Sequence, residues 1–455
     1  MRRITSLLAV TACVVHAHRA EAQEERLPRA GNGVLTFDAA LDAARRNVPG
    51  VMAALGQSRI ANAQVALARA PLLPVIAAAG TIQGYGQDSQ PIGGSTVPCA
   101  PGMPCVTGSG PFGYAYADAS ITARWTLWDF GRTALNVEAA RRAARSADVE
   151  IHVAEHSAVL AAATAYFVVL ADEQVVSNAQ STLAQRQHEE EIATTRVTAG
   201  VDPDINRTRA EIATATAQLD LATARATVDN DTASLAAALG FDPAQPPRVT
   251  PPGDLIVDDT PEHSAELAVA ARPELAGARL RVASAESSVA AAMAAWRPAL
   301  TANGSIGGRF TQYTSGSGVV SETGSANLVL AVPIYDPTIV ANVRIAEGNL
   351  VVARANLAQQ SLVVRTDAVQ AALAVRAARE QLASAEHNAQ LAAANRTFSE
   401  GRFAAGTAPM LELVDADAQD ASARLTVVQR RFQLESAEVR LLSAEERLAV
   451  RHEPH

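Results

Sequence analysis

The sequence predicts an α+β membrane protein, internally duplicated, in which long helical coiled coils join a β-barrel that several chains build together. Three observations support this fold class. The order of elements repeats once along 455 residues, the helical segments run for dozens of residues without glycine or proline, and segments with period-two alternation precede them. These patterns favour a helical bundle attached to a sheet over a compact enzyme domain.

The internal repeat is visible in the spacing of proline, glycine and aspartate. Three pairs lie 224 positions apart and three lie 206 or 207 apart: Pro49/Pro273, Pro74/Pro298, Gly80/Gly304, then Asp129/Asp336, Gly200/Gly406 and Pro203/Pro409. A longer loop in the first copy explains the difference. We therefore predict a first repeat over residues 35–242, a proline-rich linker over 243–262 and a second repeat over 263–450.

The longest helical segments are too long for a compact domain. Residues 132–199 and 204–239 contain neither glycine nor proline, and the second copy repeats this over 349–400 and 410–453. A helix of the first length would extend about 100 Å at 1.5 Å per residue. Such helices are stable as coiled coils or bundles, and their many alanines favour close packing.

Each copy opens with a shorter alanine-rich helical segment, over residues 35–70 and 266–295, and strand-like alternation follows. Over residues 115–127 one face is apolar and the other carries polar side chains such as Asp118 and Arg124. A segment of this length is able to cross a bilayer as a tilted strand whose polar face lines water. An ordinary antiparallel sheet with one face on a core would give the same alternation, so the long helices decide for the barrel.

No membrane-crossing helix is predicted after the N-terminus. The most apolar uncharged run, residues 157–171, is shorter than the roughly 20 residues that a spanning helix needs. A chain that crosses the membrane must then do so as a β-barrel. The two copies together supply four predicted strands per chain, which are too few to close a membrane barrel, since the smallest barrels have about eight. The pattern therefore implies a cyclic oligomer.

The N-terminus predicts export. Residues 1–22 resemble a signal peptide, with a basic start, an apolar stretch and a small-x-small cleavage site. An alternative takes Cys13 as the acylated first residue of a lipoprotein, although the apolar stretch before it is very short. Export also makes a disulfide between Cys99 and Cys105 the favoured interpretation of their Pro/Gly-rich loop, with metal binding as the weaker alternative.

Charge and motifs argue against several functions. The net charge of −9 argues against a nucleic-acid partner. Neither a Walker loop nor a Rossmann fingerprint is present, and we expect no catalytic residue, no cofactor and no metal site. The segment from His152 to His156 matches an inverted zincin pattern, and residues 189–191 are three glutamates. Both are interpreted as solvated helix faces, because they lie inside predicted coiled coils without a third ligand motif.

Several motifs, in the right order and at duplicated spacing, resemble the TolC-like outer-membrane efflux family over nearly the whole mature chain. They are the strand-to-helix junctions at 126–132 and 333–337, the start of the second repeat at 271–275, and the helix bends at 199–206 and 405–415. The resemblance implies a homotrimer whose barrel, with four strands from each of three chains, lies in outer-membrane lipid. The helices would form a long barrel in the periplasm. Pro337 departs from the family, in which glycine is commoner.

The resemblance also implies a function and two protein partners. The protein would be a passive exit duct for efflux or type I secretion, working with a periplasmic adaptor protein and an inner-membrane transporter that supplies the energy. The alternative is a periplasmic coiled-coil structural or adaptor protein without a membrane barrel, whose alternating segments form a water-soluble sheet.

In the TolC-like family two acidic positions line the periplasmic constriction, and they correspond to Glu412 and Asp415 here. The spacing of three places both carboxylates on one helix face. Three chains would bring six carboxylates around a narrow opening, which would attract cations and be sensitive to acid. Without the resemblance, the two residues would be interpreted as an ordinary polar helix face.

The family's locking residues are replaced in this chain. Phe403 stands where a tyrosine hydroxyl can serve, and Ala408 stands where an arginine can. Four residues are candidate gate partners of the acidic pair: Phe403 itself, and Asn206, Arg207 and Arg209 on the first helix bend, which could supply alternative bonds.

Overall fold

The computed structural model describes residues 34–87, 112–253, 257, 260–313 and 318–448. The predicted signal peptide and the three cysteines, Cys13, Cys99 and Cys105, lie outside these residues. The predictions made for them stay predictions.

The elements follow the same order in both halves of the chain. The first half contains β1 (Val34–Leu35), α1 (Phe37–Asn47), α2 (Pro49–Arg69), β2 (Val75–Gln87), β3 (Phe112–Trp128), α3 (Arg132–Thr198) and α4 (Asp204–Ala238). The second half contains β4 (Arg248–Val249), α5 (Pro261–Ala271), α6 (Pro273–Met293), β5 (Ala299–Tyr313), β6 (Gly318–Ala331), α7 (Pro337–Ala404) and α8 (Met410–Ala444). Corresponding helices have nearly equal lengths, with 67 residues in α3 and 68 in α7, and 35 in both α4 and α8. Order and length together agree with a duplicated chain.

Proline and glycine mark the helix boundaries differently from the sequence prediction. The single helical segment predicted at the start of each copy is two helices, because Pro49 and Pro273 each begin a new one. Proline lacks a backbone donor, so it fits the first position of a helix and interrupts one that runs into it. Conversely, α7 begins at Pro337 and continues through Gly348 and Gly401, where the prediction used glycine as a boundary.

Aspartates cap the beginnings of α3 and α7. The Asp129 carboxylate accepts the backbone N–H of Thr133 at 2.7 Å and that of Gly131 at 3.2 Å. The Asp336 carboxylate accepts the backbone N–H of Thr338 at 2.8 Å. Each side chain satisfies donors that the first turn of a helix leaves unpaired. The two strand-to-helix junctions are therefore built in the same way.

The chain divides into two compact units, and the unit of residues 50–157, 255–380 and 437–455 contains an antiparallel sheet. Its strand order is β2-β3-β5-β6, so β2 and β6 are the edges of the sheet in the described chain. Asp118 on β3 pairs with Arg309 on β5, which fixes the register between the two copies of the repeat.

The two faces of this sheet differ in character. On the polar face the Arg309 guanidinium lies 4.4 Å from the centre of the Tyr116 ring and 4.0 Å from the Asp118 carboxylate. The opposite face is apolar, and nine of its larger side chains are between 45% and 87% exposed: Ile76, Ile82, Ile121, Trp125, Ile306, Phe310, Val320, Leu328 and Leu330. The structure thus has the alternation that the sequence predicts.

The second unit contains residues 1–49, 158–254 and 381–436. In its core the Phe37 ring packs edge-on against Tyr166 and Phe167, with ring centres 5.4 Å apart in each pair. The Tyr166 hydroxyl donates to the carbonyl of Thr250 at 2.6 Å. This contact ties the middle of α3 to the segment that follows α4.

One helix in the described chain, α3, is long and apolar enough to pass for a membrane span by length and composition. Only 39% of its most apolar 18-residue window is buried. The same helix contributes Ala162, Ala163, Tyr166 and Phe167 to the core described above, all at most 2% exposed. Core helices with such apolar faces meet the same criterion, so it does not by itself indicate a span.

Candidate functional site

Two helix bends in the second unit hold the residues proposed from the sequence. The first bend, residues 199–203, joins α3 to α4, and the second bend, residues 405–409, joins α7 to α8. Gly200 and Gly406 have φ of 73° and 72°, in the left-handed region that glycine adopts without a Cβ clash. Beyond each glycine a backbone N–H donates back to the helix, to the carbonyls of Arg196 and Arg402. Both helices therefore end in the same Schellman geometry.

Glu412 and Asp415 line one surface cavity of about 330 Å³. The other residues of its wall come from α7, the second bend and α8: Asn395, Ser399, Pro409, Leu411, Ala416 and Gln419. Asp415 is exposed and forms no ion pair with any residue that the structure describes. Two carboxylates on one wall give this cavity a negative potential.

Arg402 neutralises one of these carboxylates. Its Nη1 donates to Oε1 of Glu412 at 2.5 Å, and its Nη2 lies 3.5 Å from the carbonyl oxygen of Thr407. Arg402 was not predicted from the sequence, because the family pattern places an arginine at the position of Ala408. The available signal was a basic residue in the last turn of α7, a position that favours cations near the helix C-terminus.

Phe403 is a core residue of the two bends rather than a partner of the acidic pair. It is 8% exposed and packs in an apolar cluster with Ala193, Ala210, Met410 and Leu413. The Arg196 guanidinium lies 4.9 Å from the centre of its ring and also pairs with Asp202 at 2.8 Å. Phe403 thus joins the second bend to the end of α3.

The three candidate partners that follow the first bend lie on the first turns of α4, apart from the acidic pair within one chain. Arg207 pairs with Asp204 at 3.0 Å and with Glu211 at 3.6 Å, both on its own helix. Asn206 is half-buried, and its backbone N–H donates to the carbonyl of Pro203. Arg209 is exposed. Among the described residues, these side chains form no hydrogen bond or ion pair with Glu412 or Asp415.

A charge network, formed by the buried residues Arg186, Glu189 and Asp417 and the partly exposed Arg396, lies on the opposite face of α8 from the cavity. Arg396 Nε donates to Oδ1 of Asp417 at 2.8 Å. Arg186 Nη1 donates to Glu189 at 2.8 Å and lies 3.5 Å from Oδ2 of Asp417. Gln185 adds a further donor to Oδ1 of Asp417 at 2.7 Å. The network connects α3, α7 and α8.

This network corrects the interpretation of the three consecutive glutamates. Glu191 is exposed as predicted, but Glu189 is 9% exposed and belongs to the network. Burial and the neighbouring Glu189 carboxylate raise the pKa of Asp417 to about 6, against the opposite effect of Arg396 and Arg186. A buried carboxylate with one anionic and two cationic neighbours is therefore a proton-binding group near neutral pH.

The two histidines of the zincin-like segment are in different environments. His152 is exposed and contacts Glu155 at 3.1 Å, as a solvated face predicts. His156 is largely buried, and its Nε2 lies 2.9 Å from the carbonyl oxygen of Ser443, which corrects the prediction for that residue. Among the residues the structure covers, no group of His, Cys, Asp and Glu has the arrangement of a metal site.

Solved structures with the same fold include outer membrane channels. A membrane protein from Pseudomonas aeruginosa aligns with a TM-score of 0.73 at 19% identity, over 93% of this chain and 94% of that one. The CmeC outer membrane channel of Campylobacter jejuni gives 0.71 at 16% identity, over 90% and 85%. The MtrE outer membrane channel of Neisseria gonorrhoeae, in its open state, gives 0.69 at 20% identity, over 90% and 88%. Identities this low show a shared fold. Among curated protein sequences, none matches significantly.

The fold that this chain shares with these structures consists of paired long helices and one four-stranded sheet, built from two copies of one repeat. The sequence profile of the family described as outer membrane efflux protein matches residues 40–241 and 265–444. The chain belongs to this family, and the TolC-like resemblance found in its motifs is confirmed. It serves as an exit duct for efflux, located in the outer membrane with its helical part in the periplasm.

Proposed function

We propose that three copies of this chain form the duct, each contributing four strands to one membrane barrel. The exposed apolar face of the sheet carries this proposal. A soluble sheet would cover such a face with a core, and contiguous apolar surface of this kind favours contact with lipid. The edges β2 and β6 each have one neighbour within the chain, and pairing the β6 of one copy with the β2 of the next would remove both edges.

The duct works passively in this proposal, without a reaction of its own. Its helical part receives cargo from a periplasmic adaptor protein and an inner-membrane transporter, which provides the energy. The family is described as outer membrane efflux proteins, and the relatives with the same fold include channels. Both descriptions support a transport role over catalysis.

Fractionation tests this proposal directly. Expressed in a Gram-negative host, the protein should sediment with the outer membrane, require detergent for extraction and elute as a trimer in light-scattering chromatography. Release from the periplasm without detergent would instead support the periplasmic adaptor hypothesis and contradict the barrel.

We propose further that Glu412 and Asp415 line the periplasmic opening. Their shared cavity wall and the exposure of Asp415 support this role. Because Arg402 pairs with only one of the two carboxylates, they have different roles at the opening. Glu412 is held against α7 by that pair, whereas Asp415 presents an uncompensated charge to passing ions. Three copies of Asp415 would make the opening selective for cations.

A further inference from the structure

The beginning of α8 carries functional and structural groups on opposite faces. Glu412 and Asp415 face the cavity, whereas Asp417 points inward with its side chain only 1% exposed. Asp417 lies five positions after Glu412, so all three acidic groups lie within the first eight residues of the helix. Anything that moves Asp417 therefore moves the proposed opening.

The surroundings of Asp417 come from four helices. On α3 it meets Arg186 and Glu189, and α4 supports Arg186 through the Thr214 hydroxyl, which donates to the Arg186 carbonyl at 3.2 Å. On α7 it meets Arg396, which also lies 4.0 Å from Glu400. On α8 itself, Asp420 pairs with Arg424 at 2.7 Å.

With Asp417 ionised, the network contains two positive and two negative groups. Two guanidinium groups, Arg186 and Arg396, then face two carboxylates, Asp417 and Glu189. A buried ion is tolerated only when opposite charge and hydrogen bonds compensate its desolvation. The network therefore fixes the positions of the three helices relative to one another.

We propose that Asp417 is the positioning residue of the periplasmic opening, holding the beginning of α8 against α3 and α7 and changing the strength of that hold when it binds a proton. This inference rests on the proposed role of Glu412 and Asp415. It assigns the control of their position to a group that touches neither cargo nor cavity.

The direction of the proton effect follows from burial. The packed network raises the pKa of Asp417 from 3.8 to about 6, so the packed state binds the proton more tightly than a solvated Asp417 would. Packing is therefore favoured most below pH 3.8, and this contribution is lost as the pH rises through about 6. Acid should tighten the packing of the beginning of α8 against α3 and α7, and neutral pH should loosen it.

Single-channel recording in planar bilayers tests the proposal with two substitutions at one site. Asp417→Asn keeps the size of the side chain and one acceptor oxygen and, like the protonated form, carries no charge, so at pH 7.5 it should show the conductance that wild type reaches only at pH 5. Asp417→Ala removes the contacts and should raise the half-blocking concentration of hexamminecobalt(III) about tenfold, a factor equivalent to roughly 1.4 kcal/mol.

The matched control is Glu386→Gln. Glu386 on α7 forms an exposed ion pair with Arg431 on α8 at 3.6 Å. Removing this pair should leave conductance and block unchanged. Trimer assembly is checked by chromatography for every variant. If Asp417→Ala does not assemble, the pH profile of Asp417→Asn decides alone.

The double variant Glu412→Ala/Asp415→Ala separates the two proposals. If it loses cation block but keeps the conductance step between pH 7.5 and 5, and Asp417→Asn loses that step, both proposals stand. If the double variant loses block while Asp417→Asn retains the wild-type pH profile, the positioning role is wrong and the opening remains. Unchanged block in the double variant contradicts the placement of the opening itself.

Discussion

Arg402 donates a hydrogen bond to Glu412 across the bend that joins α7 to α8. The pair is intermediate in exposure, with 41% of the arginine and 34% of the glutamate side chain accessible. It closes the bend on the cavity side and cancels one of the two carboxylate charges there. The net charge of the cavity wall in each chain is consequently that of Asp415.

Replacing Arg402 should expose this cancelled charge. In Arg402→Gln the Glu412 carboxylate loses its cation, so three additional negative charges would face the opening of a trimer. Block by hexamminecobalt(III) should strengthen about two- to fivefold, since partly exposed ion pairs are worth about 0.2–1 kcal/mol. Arg209→Gln removes an exposed arginine from the beginning of α4, next to the first bend, and serves as the control. Equal effects of the two substitutions would show that block responds to total charge and not to Glu412.

Single replacements of the acidic residues should differ in size. Asp415→Asn removes the uncompensated charge and should weaken cation block roughly tenfold, a change of about 1.4 kcal/mol. Glu412→Gln removes a charge that Arg402 already neutralises, so the same titration should show a smaller change. The ring of carboxylates would be misplaced if neither substitution altered the half-blocking concentration in planar bilayers.

The sequence predicted the repeated architecture because its signals are local. Gly200 and Gly406 end their helices through their own backbone conformation, and Asp129 and Asp336 cap the helices that follow them. Each of these residues acts within four or five positions of itself. Such signals are legible without knowledge of the tertiary structure.

The environments of the charged groups could not be predicted in the same way. Glu189 and the exposed Glu191 belong to the same run of three glutamates, but Glu189 is buried in a network that includes Asp417, which is distant in sequence. His156 is buried for a similar reason, because Ser443 and Glu446 pack against it. Phe403 was considered as a gate partner, yet contacts with Ala193 and Ala210 make it a core residue. Burial of a polar group depends on long-range contacts that periodicity does not encode.

Phe403 should be important for the stability of the two bends. Phe403→Ala would leave a cavity beside Met410 and Leu413 and remove the ring beneath Arg196. Truncations of buried phenylalanine cost about 3–5 kcal/mol, which would increase local opening about a hundredfold or more. Limited trypsin digestion of the detergent-solubilised trimer should then cut faster at the arginines beside the bends, such as Arg196 and Arg402.

Phe398→Ala provides the control for this experiment. Phe398 lies on the same helix five residues earlier, but its side chain is 66% exposed. Its removal should change the rate of cleavage little. Similar cleavage rates for the two variants would contradict the assignment of Phe403 to the core of the bends.

Asp172 on α3 and Asp231 on α4 should limit stability at neutral and alkaline pH. Burial and the neighbouring Asp231 carboxyl raise the pKa of Asp172 from 3.8 to about 7. The stability that protonated Asp172 contributes is fully present below pH 3.8 and is lost as the pH rises through about 7. Asp231→Asn removes the repulsion between the two carboxylates, so it should stabilise the protein at pH 8 and have little effect at pH 5.

Thermal unfolding in detergent measures this difference. At pH 8 the Tm of Asp231→Asn should rise by about 1–3 °C, a modest gain because Asp172 is only partly buried and water screens the repulsion. Asp229→Asn removes an exposed carboxylate from the same helix and should leave the Tm unchanged at both pH values. An equal gain at pH 5 and pH 8, or the same gain from Asp229→Asn, would mean that net charge, and not the pairing of Asp172 with Asp231, sets the Tm.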